Sequence, residues 1–219
     1  MILLSRLAVL ALLSIAALSP AYAAPAAPVA GVDYVEIPGG MPFDTAPGRI
    51  EVVEVFGYTC SHCAAFEPAV AAWKRRLPDD VSFVPVPAPF SGYWLPYARA
   101  YYAAQAHGLV ERTHANMFRA LHEEQRLPIM RATPAEIAAF YAGYGADPAA
   151  FAATMTSAAT DAQLERARTF IRRSGVDGTP SLVVAGRYRV IGRSFEQVLD
   201  TVDALIARER ARLRSTAGN

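Results

Sequence analysis

The sequence predicts an α/β fold in which a strand-and-helix framework is interrupted by a block of helices and then resumed. Three patterns carry that expectation. The run Ile50-Glu51-Val52-Val53-Glu54-Val55-Phe56 is β-branched, aromatic and nearly apolar on both faces, as a central strand should be. Residues 93–159 are rich in alanine and aromatic side chains at helical spacing. Strand character returns over 181–191, ahead of a last amphipathic helix.

Taken in order, 34–37 reads as a short strand, and 38–48, dense in proline and glycine, as loop. The strand at 50–56 runs into a turn at Gly57-Tyr58-Thr59 and then into a helix that begins at Cys60 and reaches Arg76, with Pro68 deleting one internal hydrogen bond. Residues 81–86 form the next strand, and a strand-helix-strand unit pairs its strands in parallel. Breaks near Gly108, Pro128, Gly143 to Gly145 and Pro148 divide 93–159 into four short helices, and 160–174 reads as one longer helix stopped at Gly175. The pair 181–185 and 188–191, joined at Gly186-Arg187, has the pattern of a hairpin. The last helix opens at Ser194, with Gln197 at capping-box spacing and Phe195, Val198, Leu199, Val202, Leu205 and Ile206 on one face. The arginines from Arg208 to Arg214 sit where cations suit a helix C-terminus.

Residues 1–23 decide how the cysteines should be read. Arg6 precedes an apolar run at 7–18, and Ala21-Tyr22-Ala23 places small residues at a cleavage site, the layout of a secretory signal peptide. An apolar run of about a dozen residues is too short for a bilayer core that needs about 20. The expected organisation is a signal peptide at 1–23 and a flexible lead-in at 24–33, followed by the framework in two parts, 34–92 and 160–213, around an inserted helical domain at 93–159. A tail at 214–219 completes it. Export across the inner membrane to the periplasm is the expected localisation.

Loss of Arg6 with the signal peptide leaves equal numbers of basic and acidic residues, so no overall field favours nucleic acid or an anionic membrane surface. Protein or small-molecule partners are expected instead. The chain has only two cysteines, Cys60 and Cys63, and both belong to one local motif. A secreted fold stapled by disulfides would spread more of them along the chain, so this pair reads as chemical and the fold must rest on its core.

The motif Cys60-Ser61-His62-Cys63 is delivered by a buried strand to the first turn of a helix, where unpaired N–H groups and the helix dipole stabilise a thiolate at Cys60. Each unit by which the Cys60 pKa falls below about 8.5 favours the reduced form by about 1.4 kcal/mol, which is about 30 mV for a two-electron couple. A depressed pKa at Cys60 therefore makes the disulfide a stronger oxidant. His62, between the cysteines, is expected to add to that electrostatic effect, and Cys63 to be the less exposed partner. The second marker is Gly178-Thr179-Pro180 directly before a strand, where a cis proline would set the Thr179 backbone beside the sulfurs to meet an extended substrate.

This ordered set resembles the DsbA family, a thioredoxin fold carrying an inserted helical domain, over essentially the whole chain after residue 23. The set comprises a strand, Cys-x-His-Cys at a helix start, a helical block, and Gly-x-Thr-Pro before a hairpin and last helix. The resemblance implies a thiol:disulfide oxidoreductase that donates its disulfide to newly exported proteins. Cys60 would be the nucleophile that forms the mixed disulfide, Cys63 the resolving cysteine and Pro180 the cis proline. Glu54 stands where the family has a buried acid and would accept a proton from Cys63. Ser61 and Thr179 occupy positions that tune potential and partner release, and depart from the proline and valine of the family's best-known member. Tyr58 and Phe66 are candidates for an apolar substrate groove. A quinone-linked membrane reoxidant of the DsbB type is implied as a partner, with a monomer as the expected state and no cofactor.

Three alternatives remain open at this point, one of them a non-enzymatic binding module built on this fold, whose function would survive Cys60→Ser. The same motif can run as a disulfide isomerase or reductase, and two cysteines with His62 could be soft metal ligands, although His107, His114 and His122 lack ligand spacing. Covalent haem needs histidine after Cys63, and the residue there is Ala64.

Overall fold

The computed structural model describes residues 27–44, 48–90 and 92–217. The signal peptide expected at 1–23 lies outside the described residues. The strands are β1 (Tyr34–Glu36), β2 (Ile50–Phe56), β3 (Val81–Pro87), β4 (Ser181–Val184) and β5 (Tyr188–Val190). The helices are α1 (Ser61–Lys74), α2 (Trp94–Ala106), α3 (Val110–His122), α4 (Pro134–Ala142), α5 (Pro148–Met155), α6 (Ala158–Arg173) and α7 (Phe195–Ala217). No helix among the described residues is long and apolar enough to cross a membrane.

The strands form one sheet in the order β1-β5-β4-β2-β3. β2 and β3 pair in parallel around α1, as their strand-helix-strand order requires, while β4 lies antiparallel to both β2 and β5. β2 is flanked on both sides and every residue in it is buried. β1 pairs antiparallel with β5 at the edge, a non-local contact that no sequence pattern announces. Alternate residues of the sheet feed two cores. Val52, Leu182 and Val184 meet Phe66, Val70 and Trp73 of α1 and Val202 and Leu205 of α7. Val53, Val55 and Val183 face the helical block, with Tyr97, Tyr101, Met117, Phe118 and Leu164. α6 shares this second core, so its apolar stripe belongs with the block.

Local capping places the helix starts. Thr133 and Glu136 form a reciprocal capping box on α4, and Asp147 and Ser157 cap α5 and α6. At α7 the hydroxyl of Ser194 accepts from Gln197 N, while the Gln197 side chain reaches Arg193 N.

The arginines of α7 do not act where the sequence suggested. The helix continues to Ala217, leaving only Arg214 in its last turn. Arg210 grips both carboxylate oxygens of Asp80 at 2.6 and 2.9 Å, Arg208 reaches Glu36 and Tyr34, and Arg212 pairs with the buried Glu209. The bonds of Arg208 and Arg210 pin α7 to the ends of β1 and β3 instead of compensating a dipole, and that of Arg212 lies within the helix. Trp73 Nε1 donates to Asp203 at 2.8 Å, tying α1 to α7 from below.

Candidate functional site

β2 ends at Phe56, and Gly57 begins the turn that presents the motif. A Cβ on Gly57 would lie 2.1 Å from the ring of Trp94, so only glycine lets the start of α2 press against this turn. Cys60 is the N-cap of α1, with extended backbone, and its sulfur accepts from Cys63 N at 3.3 Å. The first turn of α1 carries no acidic residue to oppose an anion there.

The two sulfurs differ in surroundings. Cys60 is 9% exposed and Cys63 1%. A hydrogen bond from the Cys63 side chain holds the Cys60 thiol far below its ordinary 9.0, at about 5. Desolvation opposes this, and Thr179 and the N–H groups of Cys63 and His62 reinforce it. Cys63 is driven the other way, first because its proton is engaged by the Cys60 sulfur and then by burial. Ionisation is thereby confined to the outer sulfur. His62 contributes its backbone N–H, and its exposed side chain faces the groove described below.

Across from the motif, the Thr179–Pro180 peptide is cis, and the carbonyl oxygen of Thr179 lies 3.4 Å from Cys60 Sγ. Ser181 Oγ donates to Gly178 O at 2.8 Å and closes the turn. Beneath, Glu54 is buried in β2 between Leu182 and Pro85 of the neighbouring strands, with Oε2 unpartnered among the described residues. Burial pushes its carboxyl up to about 8, with the charges of Glu67 and Cys60 adding to the shift.

A groove of about 630 Å³ runs from His62, Thr179 and Pro180 along β5 to the start of α7. Phe66 and Phe195 stack along it with centroids 4.6 Å apart, and Phe195 remains 37% exposed. Phe195 reads in the sequence as the first residue of α7's core-facing stripe. Its place at the open end of that stripe is the signal that it could instead face a ligand. Phe90 and Trp94 are partly buried against the helical core, and Tyr93 is exposed.

The structure corrects one placement outright. Tyr58, expected at the groove, is 1% exposed, and its hydroxyl bonds His114 Nδ1 at 2.9 Å. Its carbonyl bonds His122 Nε2 at 2.7 Å, and its ring packs edge-on against Phe56 and Phe118. Tyr58 is the floor of the catalytic turn, docked on α3, and cannot present its ring to a substrate. Ser61 is exposed at the first turn of α1 and is not among the groove's lining. His114 and His122 are thus engaged by Tyr58, and no three His, Cys, Asp or Glu side chains converge as metal ligands among the described residues.

A mixed sheet of this order, with a dithiol at the start of the helix after its central strand and a cis proline facing it, defines a thiol:disulfide oxidoreductase of the thioredoxin fold. Comparison with known proteins places it more narrowly: the chain belongs to the DsbA family of thiol:disulfide interchange proteins. A family model described as Thioredoxin matches residues 46–204. The DsbA of Pseudomonas aeruginosa is 40% identical over 185 residues, 83% of this chain and 86% of that protein. That of Azotobacter vinelandii is 39% identical over 184 residues, 83% of this chain and 84% of the other. The crystal structure of oxidoreductase DsbA from Xylella fastidiosa superposes with a TM-score of 0.83 at 49% identity, covering 84% of this chain and 99% of that one.

Proposed function

We propose that this protein is a periplasmic dithiol oxidase, exported with residues 1–23 removed, which passes a Cys60–Cys63 disulfide to newly exported proteins. The observation that carries the direction is the asymmetry of the two sulfurs: Cys60 is held near 5 while Cys63 is raised. A stabilised thiolate favours the reduced enzyme, so the oxidised enzyme gives its disulfide away.

In the proposed cycle a substrate thiolate attacks Cys60 Sγ, the Cys60–Cys63 bond breaks, and its electron pair leaves on Cys63. Glu54, kept protonated near neutral pH by burial, gives Cys63 its proton and takes one back when the disulfide is re-formed. A second substrate thiolate then attacks the substrate sulfur of the mixed disulfide and Cys60 leaves as thiolate. The substrate loses two electrons and the enzyme gains them. The low pKa of Cys60 makes it a good leaving group in that last step.

Thr179 receives the substrate backbone through its carbonyl, with Pro180 shaping the turn, and Ser61 borders the reacting sulfurs. Reoxidation falls to a quinone-linked membrane partner of the DsbB type, and the working state is a monomer. The test mixes oxidised protein with a reduced two-cysteine peptide at neutral pH and follows the peptide by mass. Stoichiometric disulfide in the peptide is expected. A peptide that stays reduced while the protein catalyses insulin reduction would reverse the direction assigned here.

A further inference from the structure

The groove beside the sulfurs combines an apolar lining with basic side chains and no acidic one among the described residues. Phe195, 37% exposed, and the half-buried Val198 give it the surface that an extended apolar segment would bury, with Phe66, Leu182 and Val190 packed behind them. Its ionisable lining residues are His62, Arg189 of β5 and Arg193 just before α7, and no carboxylate lines it among the described residues. Several arginines elsewhere have carboxylate partners among the described residues, while others, such as Arg49 and Arg112, bond backbone carbonyls. Arg208 pairs with Glu36, Arg210 with Asp80, Arg187 and Arg212 with Glu209, and Arg166 with Asp44. Arg189 is partly exposed and Arg193 exposed, and neither guanidinium has an ion pair or hydrogen bond among the described residues. The backbone N–H of Arg193 is held by Gln197, which fixes the chain there and leaves the guanidinium uncommitted.

Two planar, permanently charged forks left without internal partners beside an apolar trough are complementary to carboxylates. We infer that the groove selects extended polypeptide segments in which an Asp or Glu lies within a few residues of both the reacting cysteine and a large apolar side chain. This deepens the oxidase reading of the same site and rests on it. The apolar residue would lie against Phe195 and Val198, the cysteine would meet Cys60, and the carboxylate would meet Arg189 and Arg193. A segment with lysine at that position would bring like charges together and be rejected.

The test uses three reduced peptides, each with two cysteines and a phenylalanine, identical except for Asp, Asn or Lys at one position near the first cysteine. With the oxidised full chain, rapid mixing should give rates in the order Asp, Asn, Lys, in steps of about two- to fivefold, as exposed ion pairs allow. The steps should shrink at high salt. In the double variant Arg189→Gln, Arg193→Gln the ratio of Asp to Asn rates should fall to about 1, each protein serving as its own reference. Serine-for-cysteine versions of the peptides, titrated into wild-type protein, should bind in the same order without any chemistry. Equal rates and equal binding for the Asp and Lys peptides, or an order that survives in the double variant, would overturn the inference. If the serine peptides bind in the expected order but no peptide becomes oxidised, the groove's preference stands and the oxidase reading fails.

Discussion

The sulfur of Cys60 lies 3.4 Å from the carbonyl oxygen of Thr179, 119 residues further along the chain. As a thiol, Cys60 donates to that oxygen. Once ionised it has no proton to give, and the anion is held chiefly by Cys63 and the N–H groups of its own helix while the carbonyl is left free to accept. Ionisation of Cys60 therefore frees an acceptor directly beside the sulfur.

The thiolate should be directly visible. Ultraviolet absorbance of the reduced protein is expected to titrate with a midpoint near 5, against an ordinary value of 9.0. Because the folded value lies below the unfolded one, ionisation stabilises the reduced protein fully above about 9. The gain diminishes by about 1.4 kcal/mol per pH unit on the way down and is lost below about 5. The potential on the hydrogen scale should accordingly change by about 30 mV per pH unit above the midpoint and about twice that below it. A single steep slope throughout would show that Cys60 is not ionised.

Glu54 carries the opposite sign. Its folded value, about 8, lies above the ordinary 4.5, so the folded protein keeps a proton that the unfolded chain has released. Wild-type stability is therefore expected to fall as pH rises from about 4.5 to 8. Glu54→Gln should flatten that dependence and gain on the order of 1–3 kcal/mol at the alkaline end, the scale of a buried group left without partners. The same variant should slow formation of the mixed disulfide, the step in which Cys63 leaves and takes its proton, and remove the inflection near pH 8 from its rate profile. Denaturation at several pH values, with stopped-flow kinetics beside it, checks both.

Tyr58 is expected to matter for stability and not for substrate affinity. Tyr58→Phe removes the bond to His114 and should cost about 0.5–1.5 kcal/mol. Tyr58→Ala opens the aromatic floor and should cost about 3–5 kcal/mol. For the folded Phe variant, an unchanged KM for peptide separates this role from a place in the groove.

Phe195 should behave in the reverse manner. It is only partly covered, and its stacking on Phe66 shapes the groove wall. Phe195→Ala should leave the melting temperature nearly unchanged. It should lower the rate with an apolar peptide, relative to glutathione, by about three- to tenfold, the range for loss of one aromatic pair.

Much of this architecture was legible in the residues. β2, the helix start at Cys60, the parallel β2–β3 unit, four helices between 93 and 159, and the β4–β5 hairpin follow from local periodicity and punctuation, which is information a chain carries within a few residues. What was not legible depends on segments far apart in sequence. Tyr58 could be told from a groove residue only by the position of His114, and the arginines of α7 could be given partners only by where Asp80 and Glu36 come to rest. The groove has walls from 62–66, 179–182 and 189–198, so no single window of sequence contains it.

The ring of Trp94 fills the space that a side chain on Gly57 would need, and Tyr58, next in line, is anchored to α3. The helical insertion is therefore not a detachable accessory on an otherwise self-sufficient unit. A version trimmed to the sheet with α1 and α7 would leave the turn before Cys60 propped on nothing, and the chemistry would have lost its foundation. Variation in this lineage should then alter the insertion by substitution far more readily than by deletion.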